Sequence, residues 1–279
     1  MANPIYADFH IHTHFSPCGK PQATAEAMLR RAQEKGLAAV GFADHVTPDP
    51  IAGCAFYDRQ RPCIMADLRA EIAQVADGLD LEILVGMEAD YTIAGRACLN
   101  PAVVAQADHV VCAASHFHLP AAPQFSGDGP RARAALMLRL AREALEMPGV
   151  SIWAHPFHCS RVRPLLPILE TVSEAELATL IALANERGVA IEVNGAAARD
   201  EGYRLATARF FGLAREMGAR FTLTADAHSP ECLDRLDLVL EWAYALGLGE
   251  RDLLTALELK ERHKRKATAD APLQRGFPG

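Results

Sequence analysis

Short apolar runs alternate with amphipathic segments from one end of the chain to the other. The runs at residues 5–10, 37–43, 81–88, 109–115, 151–155, 189–194 and 220–225 predict strands, and a short segment at 91–93 predicts a strand pairing beside the third. These runs are continuous in hydrophobicity, as expected when both faces of a parallel sheet are covered. Between them, helical spacing extends over 24–35, 66–76, 131–145, 173–187, 203–217 and 233–246. Thr24 is placed to cap the first helix and Gly36 to stop it. About seven βα units without a break in composition predict an α/β fold, one closed barrel rather than an open sheet in two domains. A single domain is expected over residues 1–266, with 267–279 as a flexible tail. The connections 46–61 and 117–129 are long and rich in Pro and Gly. Both follow strands, which places them on the rim where strand C-termini open, as candidate lids.

Half of the 279 residues are apolar and 23% are charged, enough for a sizeable core and against wholesale disorder. The 28 Lys and Arg against 35 Asp and Glu leave a net charge of -7, which argues against a surface built for nucleic acid or anionic lipid. No run approaches the roughly 20 apolar residues of a membrane span, and the N-terminus lacks a secretory pattern. The seven cysteines have no framework spacing and read as reduced thiols of a cytoplasmic protein. The basic stretch Lys260, Arg262, Lys264, Arg265 and Lys266 reads as a helix end favouring cations, not as a nucleic-acid contact.

Eleven histidines change this picture, because of where they fall. His10 and His12 end the first predicted strand, and Asp44-His45 follows the second. Glu88 ends the third, His116 and His155 follow the next two, and Asp226 with His228 follows the last. In a parallel barrel all these exits share one rim, so residues distant in sequence converge there. Imidazole and carboxylate are ligands for first-row metals such as Zn, Mn and Fe. One His-x-His pair is a weak signal; His, Asp or Glu at nearly every strand exit is a strong one.

The segments Asp8-Phe9-His10-Ile11-His12-Thr13, Asp44-His45, Gly86-Met87-Glu88, Ser115-His116, His155-Pro156 and Asp226-Ala227-His228 together resemble the PHP (polymerase and histidinol phosphatase) family. The resemblance spans residues 5 to about 230, in the family's order. It implies a distorted seven-stranded, TIM-like β/α barrel that holds two or three divalent ions (Zn, Mn or Fe) and hydrolyses phosphate esters. It further implies one metal on His10, His12, Glu88 and Asp226, a second on Glu88, His116 and His155, and a third on His45 and His228. Where family members often add a histidine to the third site, this chain has Cys18, whose thiolate would favour zinc or iron over manganese. Asp8 is expected to orient a ligand, and Asp44 to do the same for His45. A metal-bridging water held by Glu88 and Asp226 is the expected nucleophile, its pKa lowered from about 15.7 toward about 7.

Arg199, Arg163, Arg161 and Lys20 are candidate phosphate donors on the rim. His158 and His118 are candidates for substrate binding or for protonating the leaving group. His14 is expected to pack beside the ligands or at the surface, and His109 and His263 are assigned no role. The expected partner is a small phosphorylated substrate such as histidinol phosphate, with no membrane. Alternatives are nucleotide or nucleic-acid phosphoester hydrolysis, and carbon–nitrogen or ester hydrolysis on an amidohydrolase-like barrel.

Overall fold

In the computed structural model, residues 7–47, 61, 63–90, 99, 101–119, 125, 129–159 and 164–269 are described. Among the described residues there are eight strands, separated by helices except between β3 and β4: β1 (Ala7–Ile11), β2 (Ala39–Phe42), β3 (Glu82–Val85), β4 (Met87–Asp90), β5 (Val110–Ala113), β6 (Ile152–Ala154), β7 (Ala190–Asn194) and β8 (Phe221–Thr224). Every ladder is parallel, in two sheets of order β1-β2-β3 and β4-β5-β6-β7-β8. Isolated bridges Ile11–Ala227 and His45–Glu88 link the two sheets. The architecture is therefore α/β and parallel, but with eight strands in two sheets where seven in one closed barrel were expected. The difference arises at Gly86, where the expected third strand divides. The segment at 91–93 lies outside the described residues, as do most of the two long connections.

The buried ring of His109 lies against both the division at Gly86 and the bulge in β1. A Cβ on Gly86 would lie 2.4 Å from His109 Nδ1, and one on Gly41 would lie 2.7 Å from His109 Cε1, so both strands pass the ring only as glycine. His109 Nε2–H donates to the Phe9 carbonyl at 2.9 Å. Beside that carbonyl the β1–β2 register shifts between Asp8 and Ile11. Burial pulls the His109 pKa down to about 4, so the ring is a neutral filler. The role of His109 is thus architectural.

Two apolar clusters lie on opposite sides of the strands. A small one joins Phe9, Leu84, Val111, Ile152 and Ala190 with Leu254 and Leu259. A larger one packs Ile11, Met87, Cys112, Trp153, Ile191 and Val193 against the helices. The helix Ala25–Glu34 is capped by Thr24 and followed by Gly36 at φ +73°; Glu174–Arg187 starts with a Ser173–Glu176 capping box and ends at Gly188 in the left-handed region. The helix end expected at the basic stretch belongs to the helix Ala256–Ala269. It docks through His263, which bridges Ser151 Oγ and the Val104 carbonyl, and through Lys266, whose Nζ donates to the Val150 carbonyl. Its basic residues are thereby partly used in packing. No helix among the described residues is long and apolar enough to cross a membrane.

Two glycine substitutions should move stability in opposite directions. Gly86→Ala forces a methyl into His109 and should cost about 1–3 kcal/mol, read as a lower denaturant midpoint. Gly212→Ala, in the helix Glu201–Glu216 with open space around it, should stabilise by roughly 0.5–1 kcal/mol.

Candidate metal centre

Alternation along the strands sends the polar residues to one place. On β4, Met87 and Ala89 enter the larger apolar cluster, so Glu88 and Asp90 share the opposite face. On β7, Ile191 and Val193 do the same for Glu192 and Asn194. On β1 the bulge changes the face between Phe9 and Ile11 and brings His10 and His12 together. Asp8 closes that bulge: its Oδ1 accepts from His10 N at 3.0 Å, and its Oδ2 accepts from Ala225 N at 2.9 Å, tying β1 to the end of β8. Burial raises the Asp8 pKa to about 7 against these two donors. His155 and Asp226 leave their strands at φ +26° and +50°, backbone that non-glycine residues seldom adopt and that re-aims both side chains. Arg235 Nη1 donates to the Asp226 carbonyl at 2.7 Å, and Asn194 Nδ2 donates to its carboxylate at 3.2 Å.

Glu88 is the centre of the arrangement. Its Oε2 lies 3.2 Å from Nε2 of His10, 3.3 Å from that of His12 and 3.2 Å from that of His45. Its Oε1 lies 3.4 Å from Nε2 of His155 and 3.8 Å from that of His116. Asp226 Oδ1 completes this side at 3.5 Å from His12 Nε2 and 3.7 Å from His228 Nδ1.

The outer nitrogens of these rings face other groups. His10 Nδ1 meets Glu192 at 2.6 Å, His12 Nδ1 meets Ser16 Oγ at 3.1 Å, and His155 Nδ1 meets Ser115 Oγ at 2.8 Å. His116 Nδ1 bonds Asp90, and His228 Nδ1 donates to the Asp226 carbonyl at 3.0 Å. His45 Nδ1 lies 3.2 Å from Asp90 Oδ2, at ion-pair distance without hydrogen-bond alignment.

A ring that donates from Nδ1 holds a lone pair on Nε2 when neutral. His10 and His12 then aim lone pairs at one another across 3.2 Å and at the same carboxylate oxygen. Such an arrangement requires positive charge between the donors, and Glu88 Oε1 and Asp90 Oδ2 are buried without a hydrogen-bond partner. The donors fit divalent metal ions: five sets of three lie with their ligand atoms within 4.8 Å of one another, namely His10/His12/Glu88, Glu88/His116/His155, His12/Asp226/His228, His12/Cys18/His45 and His45/Asp90/His116.

Cys18 is brought in by a tight loop. Asp44 accepts from Thr13 N and Thr13 Oγ1, both at 2.6 Å, and Ser16 Oγ accepts from His45 N at 3.0 Å. A Cβ on Gly19 would lie 1.8 Å from the Thr13 carbonyl, so glycine is required beside Cys18. Burial works to raise the Cys18 thiol, but His12 and His45 outweigh it and pull the pKa from 9.0 to about 3. Asp44 thus braces the Cys18 loop, and the carboxylate beside Nδ1 of His45 is Asp90, a residue that sequence reading missed. Glu192 was missed as well. For both, a signal was present: each alternates with apolar neighbours in a strand and shares a face with another polar residue, Glu88 or Asn194.

None of the other expected site residues that are described belongs to these donor sets. The exposed Arg199 follows the short helix Gly195–Ala198 after β7. Lys20 is exposed, and its backbone N donates to the His228 carbonyl. The rings of His158 and His118 lie 5.9 Å from His155 and 5.2 Å from His116. His14 Nε2 lies 3.5 Å from Glu71 Oε2. Arg161 and Arg163 lie outside the described residues.

Burial opposes charge on His10, His12, His45, His116, Glu88, Glu192 and Asp226, and attraction between the acidic and basic groups overcomes it. Glu192, Glu88 and Asp226 raise His10 well above 6.5, and His12, His45 and His116 are raised by their own acidic partners. Conversely, the histidines hold Glu88 and Asp226 well below ordinary carboxylate values, and His10 lowers Glu192. In metal-free protein the histidine contribution to stability is complete below about 6.5 and is lost as pH rises through the raised values. The carboxylate contribution is complete above about 4.5 and is lost as pH falls. The melting temperature of metal-free protein should therefore peak in mild acid, and its gain on adding zinc should grow with pH because cations replace protons. A zinc gain that stays constant between pH 6 and pH 9 by calorimetry would contradict this.

A family profile described as the PHP domain matches residues 8–196, which includes Glu88 and Glu192 and stops before Asp226. No curated protein matches the sequence. Among solved structures, the histidinol phosphate phosphatase of Lactococcus lactis subsp. lactis, crystallised with zinc, L-histidinol and phosphate, superimposes with a TM-score of 0.61 at 12% identity, covering 90% of this chain and 99% of its own. A Listeria monocytogenes protein assigned as a histidinol phosphatase gives 0.58 at 15% identity, covering 82% and 97%. At these identities the likeness is one of fold. With the profile spanning well over half of the residues, the chain belongs to the PHP domain family.

Proposed function

We propose that this chain is a metal-dependent phosphoesterase that hydrolyses a small phosphomonoester. The observation that carries the reading is the convergence of five imidazole Nε2 atoms on the two oxygens of Glu88. His10, His12, Glu88 and Asp226 would hold one divalent ion, and Glu88, His116 and His155 a second. Cys18, His45 and His228 would hold a third, with Asp90 beside His45. Bound there, the ions supply Lewis acidity and an activated water. Cys18, already anionic, favours zinc or iron in the third position. Zinc, L-histidinol and phosphate in the Lactococcus lactis enzyme are a precedent for this chemistry on the same fold.

Charge supports three ions rather than two. Glu88, Asp90, Glu192, Asp226 and the Cys18 thiolate are all held anionic within the cluster. Three divalent ions exceed that negative charge and two do not, so only the fuller site attracts a phosphate dianion. Around the rim, Arg199 and Lys20 supply donors for phosphate oxygens, and His158 or His118 protonates the leaving oxygen.

The test is a panel of phosphomonoesters, an oligonucleotide, and N-acyl and lactone substrates, assayed with Zn, Mn and Fe supplied separately. Turnover confined to phosphomonoesters is expected; turnover confined to amides or lactones would overturn the proposal. Asp226→Asn and His12→Ala should each lower turnover more than about a hundredfold while the circular-dichroism spectrum is retained, since even an outer partner of a metal ligand is worth 10–100-fold. Cobalt-loaded protein should show a thiolate-to-metal charge-transfer band that Cys18→Ser removes. A band that survives in that variant would take Cys18 out of the ligand set.

A further inference from the structure

β7 places a second carboxylate beneath the cluster. Glu192 is fully buried, and each of its oxygens has two donors. Oε1 accepts from His10 Nδ1 at 2.6 Å and from Thr224 Oγ1 at 2.7 Å. Oε2 accepts from the backbone N of His155 at 2.6 Å and from Asn194 Nδ2 at 3.0 Å. Four donors fill the lone-pair capacity of a carboxylate, and none of the donor sets among the described residues includes Glu192. It is built to hold ligands rather than to be one.

Its two ligand contacts are of different kinds. One reaches the ring of His10, on β1, and requires Nδ1 to carry the proton, which leaves the Nε2 lone pair facing Glu88 and His12. The other reaches the main chain of His155, held at φ +26° at the exit of β6. Those residues belong to opposite sides of Glu88: His10 faces Oε2 and His155 faces Oε1.

We propose that Glu192 is a positioning residue that fixes the tautomer of His10 and the strained exit of His155 together, so that two halves of the cluster are aligned by one carboxylate and their cation affinity depends on it. This rests on the metal-dependent reading above. Glutamine has nearly the same shape but cannot replace it, because one end of an amide donates. If the amide nitrogen faces His155 N–H and the Asn194 amide, donors oppose donors. If it faces His10, the ring must accept at Nδ1 and protonate Nε2, which withdraws the lone pair from the centre.

Zinc affinity of full-length wild type and Glu192→Gln, measured by competition with a chromogenic chelator, tests this. The variant should bind zinc about 10–100-fold more weakly, with an unchanged circular-dichroism spectrum. Equal affinities would overturn the role of Glu192 while leaving the metal site intact; a wild type that takes up no zinc would instead remove the metal reading itself. A second measurement needs no variant: in zinc-loaded, 15N-histidine-labelled wild type, the His10 ring should carry its proton on Nδ1. A proton on Nε2 overturns the inference.

Discussion

The structure depends on one contact set, the two oxygens of Glu88 facing five imidazole nitrogens at 3.2–3.8 Å. Neutral rings that point lone pairs at a buried carboxylate repel it, and charged rings that crowd together repel one another. Protons on the rings relieve the first repulsion in metal-free protein, where the carboxylates offset the second, and bound cations would relieve both by taking up the lone pairs. The desolvation of four carboxylates, which would otherwise be prohibitive, is offset by the same charges.

Much of the backbone near the cluster serves that contact set. Phe9 reaches the smaller apolar cluster while His10 and His12 reach the centre because β1 bulges, and the bulge is tolerated because Asp8 and His109 take up the main-chain groups it displaces. Two strands pass His109 as glycine, and the ladder divides at one of them. Left-handed backbone at His155 and Asp226 turns both side chains inward where alternation ends, with Glu192 and Arg235 bonded to that backbone. Strain of this kind is ordinarily retained only where surrounding contacts over-determine it, and here those contacts are the polar ones.

The outer nitrogens show how affinity and geometry are divided. His10 and His116 are bonded by carboxylates, whereas His12, His155 and His228 meet neutral oxygens. A carboxylate partner makes the opposite nitrogen more basic than a hydroxyl or carbonyl does. The rings are thus graded in donor strength as well as aimed, and the anionic thiolate of Cys18 adds a softer donor on the His12–His45 side.

Strand and helix positions were legible because hydrophobic periodicity and capping are local: Thr24, Gly36, Ser173 and Gly188 mark helix ends in both sequence and structure. The clustering of His, Asp, Glu and Cys donors was legible because parallel strands deliver their exits to one side. What a linear reading could not contain was the packing of Gly86, where the strand divides, against a ring 23 residues away, or the partners of each imidazole. Asp90 and Glu192 look like half-buried strand residues until β4 and β7 are set beside β1, and Asp44 reads as the neighbour of His45 until its carboxylate is found on Thr13. The sequence by itself determined which donors exist and that they gather at one rim, since these follow from residue identity and strand direction. The tertiary structure alone decided which nitrogen of each ring faces the centre, because a tautomer is set by a hydrogen bond and that bond joins residues as far apart as His10 and Glu192.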